Sequence, residues 1–211
     1  MDLWQRLDAA AGRWNVLQHP FYTRWSNGDL RPSELSFYAG QYAHAVRALA
    51  GATRHAASLA PNAAAAAELE SHAAEEESHI GLWERFGECV DADENATPLD
   101  ETVSCASAWH DPERGYLPTL VALYAIESAQ PAISETKRIG LVEHYGFEAG
   151  DGTEYFDLHA VRDVDHAASG RELIQAELDS AVDAHALVAE AECVLEANWG
   201  LLDGVDRQGQ R

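Results

Sequence analysis

Apolar positions recur along this chain at three- and four-residue spacing, and no sustained stretch alternates between apolar and polar residues. That period belongs to helices with one buried face, whereas alternation would mark strands. Trp4, Leu7, Trp14 and Leu17 form the first stripe, closed at His19-Pro20 because proline disfavours helix at the residue before it. Phe21, Tyr22 and Trp25 predict a short aromatic helix ending at the turn signal Ser26, Asn27 and Gly28. Ser33 is a candidate cap for a long helix carrying Leu35, Tyr38, Tyr42 and Val46. Pro61-Asn62 separates it from a helix running from Ala63 to about Phe86. After an acidic loop, Asp91 to Asn95, Thr97-Pro98 predicts a helix start, with the helix reaching Trp109. A long apolar helix is expected from Leu117 to about Tyr145, and a glycine loop (Gly146, Gly150, Gly152) precedes the next one. Ser169-Gly170 can interrupt or cap that helix, and a final helix is expected from Arg171 to about Leu202, with a disordered tail over 204–211. The expectation is an all-α, single-domain bundle of about seven to eight helices spanning 1–211.

Charge narrows the partners. With 36 acidic against 14 basic residues the formal net charge is -22, the wrong sign for neutralising nucleic-acid phosphates. All the basic residues except Lys137 are arginine, and a dense acidic surface of this kind is expected of a salt-loving source, where screening makes it tolerable. No apolar run approaches the roughly 18 residues of a membrane span. The first residues lack a basic segment followed by an apolar one, and Cys89, Cys105 and Cys193 are too scattered for a disulfide framework or a Cys-based zinc site. A reducing cytoplasmic location is expected.

Candidate chemistry begins with His159, Asp163 and His166. Read as helix they fall at i, i+4 and i+7, one narrow stripe. Two imidazoles and a carboxylate are costly to bury unless something ionic compensates them, and a divalent metal does so directly. Glu76 and His79 share a face at i, i+3, a unit used in carboxylate-bridged di-metal sites within bundles. Glu75, at i-4 from His79, also reaches that face. Glu127 sits inside an apolar helix with Pro131 four residues on, so its carbonyl loses its helical donor and a kink is expected beside a buried acid. The candidate ligands are therefore Glu76, His79, Glu127, His159, Asp163 and His166 around two divalent ions, Fe/Fe or Mn/Fe, with open positions for O2. The other histidines, His72 among them, show no such spacing and are expected to be surface or core residues.

These residues resemble the haem-oxygenase-like di-metal oxidases, within the wider TenA and PqqC group. Between about Leu17 and Leu202 the chain is similar to the chlamydial CADD-type para-aminobenzoate synthases, around Tyr22, around His79 to Trp83, from Ala122 to Pro131, at Lys137 and from Leu141 to Phe147. The resemblance implies a haem-oxygenase-like fold and a self-sacrificing reaction that uses O2 and an external reductant. In it Tyr22 supplies the aromatic ring and Lys137 the amino group. Tyr38, Tyr42 and Tyr124 are candidate relay or pocket residues. Lys137 is also the only lysine of the chain, and an amine can do chemistry that a guanidinium cannot. Two departures from the family pattern matter. The family spaces its first-helix Glu and His further apart, and it carries a tyrosine where this chain has Ile126.

Two other readings are weighed. One is a related oxidase turning over a separate small molecule such as an amino acid or fatty acid. The other is metal-free TenA- or PqqC-like chemistry, of which the thiaminase type needs a cysteine nucleophile at the pocket. Small molecules and O2 are the expected partners, neither nucleic acid nor membrane, and a homodimer is compatible with the fold.

Overall fold

Prolines and capping side chains set most of the helix boundaries. The computed structural model describes residues 1–179 and 181–209. Asp2 caps α1 (Leu3–Arg13) by accepting from the Gln5 N–H, and a separate 3-10 turn, Val16–Gln18, splits off the end of the expected first stripe. His19 accepts from the Phe21 N–H to cap α2 (Pro20–Asn27), which Gly28 closes in the left-handed region at φ 75°. Pro32 takes the first position of α3 (Pro32–Leu59), so the cap is Arg31 rather than Ser33, with Glu34 accepting from the Arg31 N–H. Asn62 caps α4 (Ala63–Cys89). Next, α5 (Asp100–Trp109) starts later than Thr97-Pro98, because the buried Gln41 amide donates to the Thr97 carbonyl and accepts from the Leu99 N–H.

The long helix expected over Leu117 to Tyr145 is broken into α6 (Tyr116–Glu127) and α7 (Gln130–His144). Pro131 has no N–H to offer the Glu127 carbonyl, and the helical hydrogen bonding lapses at Ser128 and Ala129, which keep right-handed helical φ/ψ, so the interruption is the expected kink. Counted as the halves of that one helix, they leave the eight-helix all-α bundle that the periodicity predicts, with no strand among the described residues.

Two expectations fail near the end of the chain. α8 (Glu154–Glu177) runs straight through Ser169-Gly170, a glycine that helices tolerate at a cost of about 1 kcal/mol. The actual break comes after Leu178, and Asp183 accepts from the N–H groups of His185 and Ala186 to start α9 (Ala184–Gly209). The tail expected to be disordered from 204 is helical as far as Gly209. Asp206 pairs there with Arg24 at 2.5 Å and Arg207 with Glu101. Gln210 and Arg211 lie outside the described residues.

Helices α3 and α4 pack antiparallel, as Arg47 to Glu84 and Arg54 to Glu77 show by running in opposite directions. α8 lies against α4, α6 and α7, while α9 covers α1, α5 and α6. No helix among the described residues is long and apolar enough to cross a membrane. The approach of α2 to α7 depends on Gly140, where an added Cβ would stand 2.6 Å from Trp25 Cδ1. Trp25 itself donates from Nε1 to the Lys137 carbonyl at 3.0 Å, so this contact sets the Tyr22 helix against the Lys137 helix. Gly140→Ala is expected to destabilise the fold by about 1–3 kcal/mol through overpacking, read from the urea unfolding midpoint.

Candidate metal centre

Helices α4, α6 and α8 turn their polar stripes toward one another inside the bundle. Glu76, His79, Glu127, His159, Asp163 and His166 are all buried, the acids to within 2% of full burial. His72 on α4 joins them. Its Nε2 lies 3.1 Å from Glu127 Oε1 and 3.7 Å from Glu76 Oε1. Sequence reasoning set His72 aside, yet His72, Glu76 and His79 repeat on α4 the i, i+4, i+7 spacing of His159, Asp163 and His166 on α8. The two stripes face each other in opposite directions, with His72 against His166 (ring centroids 3.8 Å apart) and His79 against His159 (4.6 Å). That repeated spacing was the available signal.

Ligand atoms of His72, Glu76, Glu127 and His166 lie within 4.8 Å of one another, and those of Glu76, His79 and His159 form a second such group. Glu76 belongs to both, so its carboxylate would be shared if both groups held an ion. Asp163 falls in neither group but stands beside them, its Oδ1 3.3 Å from His166 Nδ1. Glu75 points elsewhere. It takes two hydrogen bonds from Arg162, at 2.7 and 2.8 Å, and faces His166 Nε2 at 3.3 Å.

Unpartnered atoms test whether metal suits this cluster. Among the described residues, His72 Nε2, Glu76 Oε1, His79 Nδ1, Glu127 Oε1, His159 Nε2, His166 Nδ1 and both Asp163 oxygens are buried without a hydrogen bond. Orphaned polar atoms are rare in a core and each costs about 1–3 kcal/mol. Here they are nitrogen and carboxylate donors that converge, the donor set of Fe, Mn or Zn. His159 Nδ1 and the Tyr155 carbonyl, 2.7 Å apart, form a hydrogen bond that leaves Nε2 free to ligate.

Electrostatics follows the same geometry. Burial lowers the His72 imidazolium, but Glu127 and Glu76 outweigh it and lift its pKa to about 10. Burial drives His159 down to about 4 and Asp163 up to about 7. Burial also pushes Glu76 upward, yet His72 and His79 hold it well below the carboxylate range. Arg162 brings the half-exposed Glu75 down to about 2.

A second buried nest adjoins this one. Lys137 Nζ donates to Tyr38 Oη at 2.7 Å, and Tyr38 Oη is 2.9 Å from Tyr22 Oη. The amine sits 5.0 Å from the Tyr22 ring centre and 4.7 Å from that of Tyr42, with no carboxylate paired to it among the described residues. Burial alone lowers its pKa to about 7. Tyr42 completes the cage and takes a hydrogen bond from Gln130. Tyr124 does not, since its ring packs edge-on against Trp4 instead. Tyr155, unremarked in the sequence, stacks on His159 at 4.0 Å and meets Trp83 edge-on at 4.8 Å. Cys105 is fully buried and its thiol is pushed up by burial, the opposite of an activated nucleophile.

Residues 37–199 match the profile of a family described as iron-containing redox enzyme. The chain belongs to that family. It is 28% identical over 220 residues to the 4-aminobenzoate synthase of Nitrosomonas europaea, covering 95% of this chain and 89% of the relative. Identity to the 4-aminobenzoate synthase of Chlamydia muridarum is also 28%, covering 96% and 89%. A solved Shewanella denitrificans domain with a heme oxygenase-like fold superposes with TM-score 0.84 at 18% identity, covering 100% of this chain and 94% of that one. The fold is the haem-oxygenase-like one of the TenA and PqqC group, and the chain is related at low identity to CADD-type 4-aminobenzoate synthases.

Two outcomes are expected. Glu75 orients His166 from outside the cluster, so Glu75→Ala should weaken Mn(II) or Fe(II) affinity about 10- to 100-fold in a direct titration, with a smaller loss for Arg162→Ala. Lys137 gives a pH signature. The unfolded chain keeps its proton up to 10.5 and the folded chain releases it near 7. Between those values the unfolded state binds more protons, so stability rises with pH. Lys137→Met should therefore be more stable than the parent at the low end of this window, by on the order of a few kcal/mol. The difference should fade toward the high end, as read by denaturant unfolding at both.

Proposed function

We propose that this protein is an O2-dependent di-metal oxidase that makes para-aminobenzoate from its own Tyr22, with Lys137 as amino donor, supplying a folate precursor. One observation carries the reading. The only lysine and the tyrosine matched by the family resemblance are buried together, both hydrogen-bonded to the hydroxyl of Tyr38. Substrate groups belonging to the protein need no open pocket, and this pair has no solvent around it, with Tyr22 2% and Lys137 1% exposed.

The His and carboxylate cluster supports a metal pair, Fe/Fe or Mn/Fe, held by His72, Glu127 and His166 on one side and His79 and His159 on the other. Glu76 lies between them and Asp163 beside His166. Bound there with an external reductant, such a pair supplies electrons for reducing O2. The chain's own residues do the rest. Tyr38 holds the Tyr22 hydroxyl and the Lys137 amine in one hydrogen-bonded line. The surrounding rings exclude water and keep a large fraction of the amine neutral near pH 7, the nucleophilic form. The buried, protonated Cys105 argues against thiaminase-type chemistry.

The test is a metal-loaded sample given O2 and reductant. At most one para-aminobenzoate per chain is expected, with mass lost at Tyr22. Many turnovers on an added amino acid or fatty acid would overturn the reading. Lys137→Arg and Tyr22→Phe should each keep their metal content and lose product.

A further inference from the structure

A cavity of about 260 Å³ opens beside α6, away from the cluster. Its floor is buried and apolar, formed by Val16, Trp109, Ile126, Ile133 and Leu195. Small residues frame its mouth, Ala11 and Gly12 at the end of α1 and Ala129 and Ala132 where α7 begins. Ile126 and Glu127 are successive on α6 and so point about 100° apart, one toward the cavity and the other into the cluster. Neither the cluster residues nor Tyr22 nor Lys137 lines the cavity.

Two amides do line it, and they differ. Asn15 Oδ1 accepts from the Leu17 N–H at 3.1 Å. Asn198 on α9 is only 6% exposed, and its Oδ1 is buried without a hydrogen bond among the described residues. Trp109 does not serve it, because its indole N–H is given to the Val194 carbonyl at 3.1 Å. A buried amide oxygen without a donor is destabilising, and a position that asked only for packing would be better filled by leucine. Rotation about χ2, a soft torsion in asparagine, turns the amide further into the cavity. An amide so placed suits a ligand that brings its own N–H or O–H.

Charge and size narrow the ligand. No Asp, Glu, Lys, Arg or His lines the cavity, so a carboxylate or an ammonium would find no counter-ion there. The formal net charge of -22 disfavours anions further. An apolar cavity of roughly 150 Å³ takes up benzene, so this larger one has room for two fused rings, against the flat walls of Trp14 and Trp109. We infer that the cavity is a binding site for a neutral one- or two-ring aromatic molecule whose N–H or O–H donates to Asn198 Oδ1. It goes beyond the function proposed above and does not rest on it, although the Trp109 ring in its floor also meets Tyr42 edge-on at 6.2 Å, at the back of the amine cage.

Indole is the probe, with indene, the same shape without an N–H, and benzoate as controls. Each is titrated into the full-length chain by ligand-detected NMR. Indole is expected to bind saturably and at least about tenfold more tightly than indene, the worth of a hydrogen bond to an otherwise orphaned acceptor. Benzoate should not bind. Asn198→Leu should hold the two neutral probes equally and unfold at the parent's temperature or above, which separates lost recognition from lost structure. Ala132→Phe, filling the mouth, should abolish binding of both. Gly12→Phe is the second plug, since an added Cβ there meets nothing within 4 Å. Indole that fails to bind, that binds no better than indene, that keeps its advantage in Asn198→Leu or that ignores both plugs would overturn the inference. Benzoate binding as tightly as indole would overturn the neutral class.

Discussion

Charge burial is the constraint around which this bundle is arranged. Glu76, Glu127 and Asp163 are removed from water in the company of His72, His79, His159 and His166, and their donor atoms face inward without hydrogen bonds. In an apolar core isolated charges are prohibitive, so such a set persists only where its members compensate one another or share a cation. The helices show the accommodation. α6 is apolar over most of its surface and Glu127 is its one ionisable carboxylate, the helix kinks immediately after it, and α4 and α8 spend a full stripe each on polar donors. Stability given up in this way is what a functional site, rather than a structural one, is expected to show.

The second constraint is the lone amine. Lys137 is buried among Tyr22, Tyr38, Tyr42, Trp83 and Phe156 with no acid among the described residues to balance it. Aromatic faces attract a cation, but desolvation prevails and the amine sits near the pH where it can be neutral. The His and carboxylate cluster and the amine nest thus require opposite environments, charged and converging in one case, dry and aromatic in the other. They meet at Tyr155 and Trp83.

Much of this was legible in the chain. Helical period alone led to an all-α bundle, and the Glu127–Pro131 spacing located the kink between α6 and α7, where Ser128 and Ala129 keep helical φ/ψ while the hydrogen bonding lapses. The stripe at His159, Asp163 and His166 was readable because one helix carries it, and Glu127 because a carboxylate in an apolar helix demands a partner. His72 was passed over because Glu75, Glu76 and Glu77 crowd the same stretch and hide the matching spacing on α4. The choice between Glu75 and Glu76 depends on helix rotation, which packing against α8 decides and local pattern does not. Tyr155 and Trp83 look like ordinary core aromatics until α4 and α8 are brought together. Gly170 fails as a break because a helix buried against α6 tolerates one flexible residue, while Asp183 begins α9 with its own side chain.

Tyr22 lies on a helix of only eight residues, wedged among Phe21, Trp25 and Tyr38 and almost wholly enclosed. A ring excised from that position leaves a void that its neighbours can only partly refill, and emptying an aromatic site of this kind costs about 3–5 kcal/mol. Such a loss approaches the whole margin by which an average domain stays folded. A chain stripped of this one ring would be thermodynamically marked as used, open to unfolding and to proteolytic clearance without any separate label.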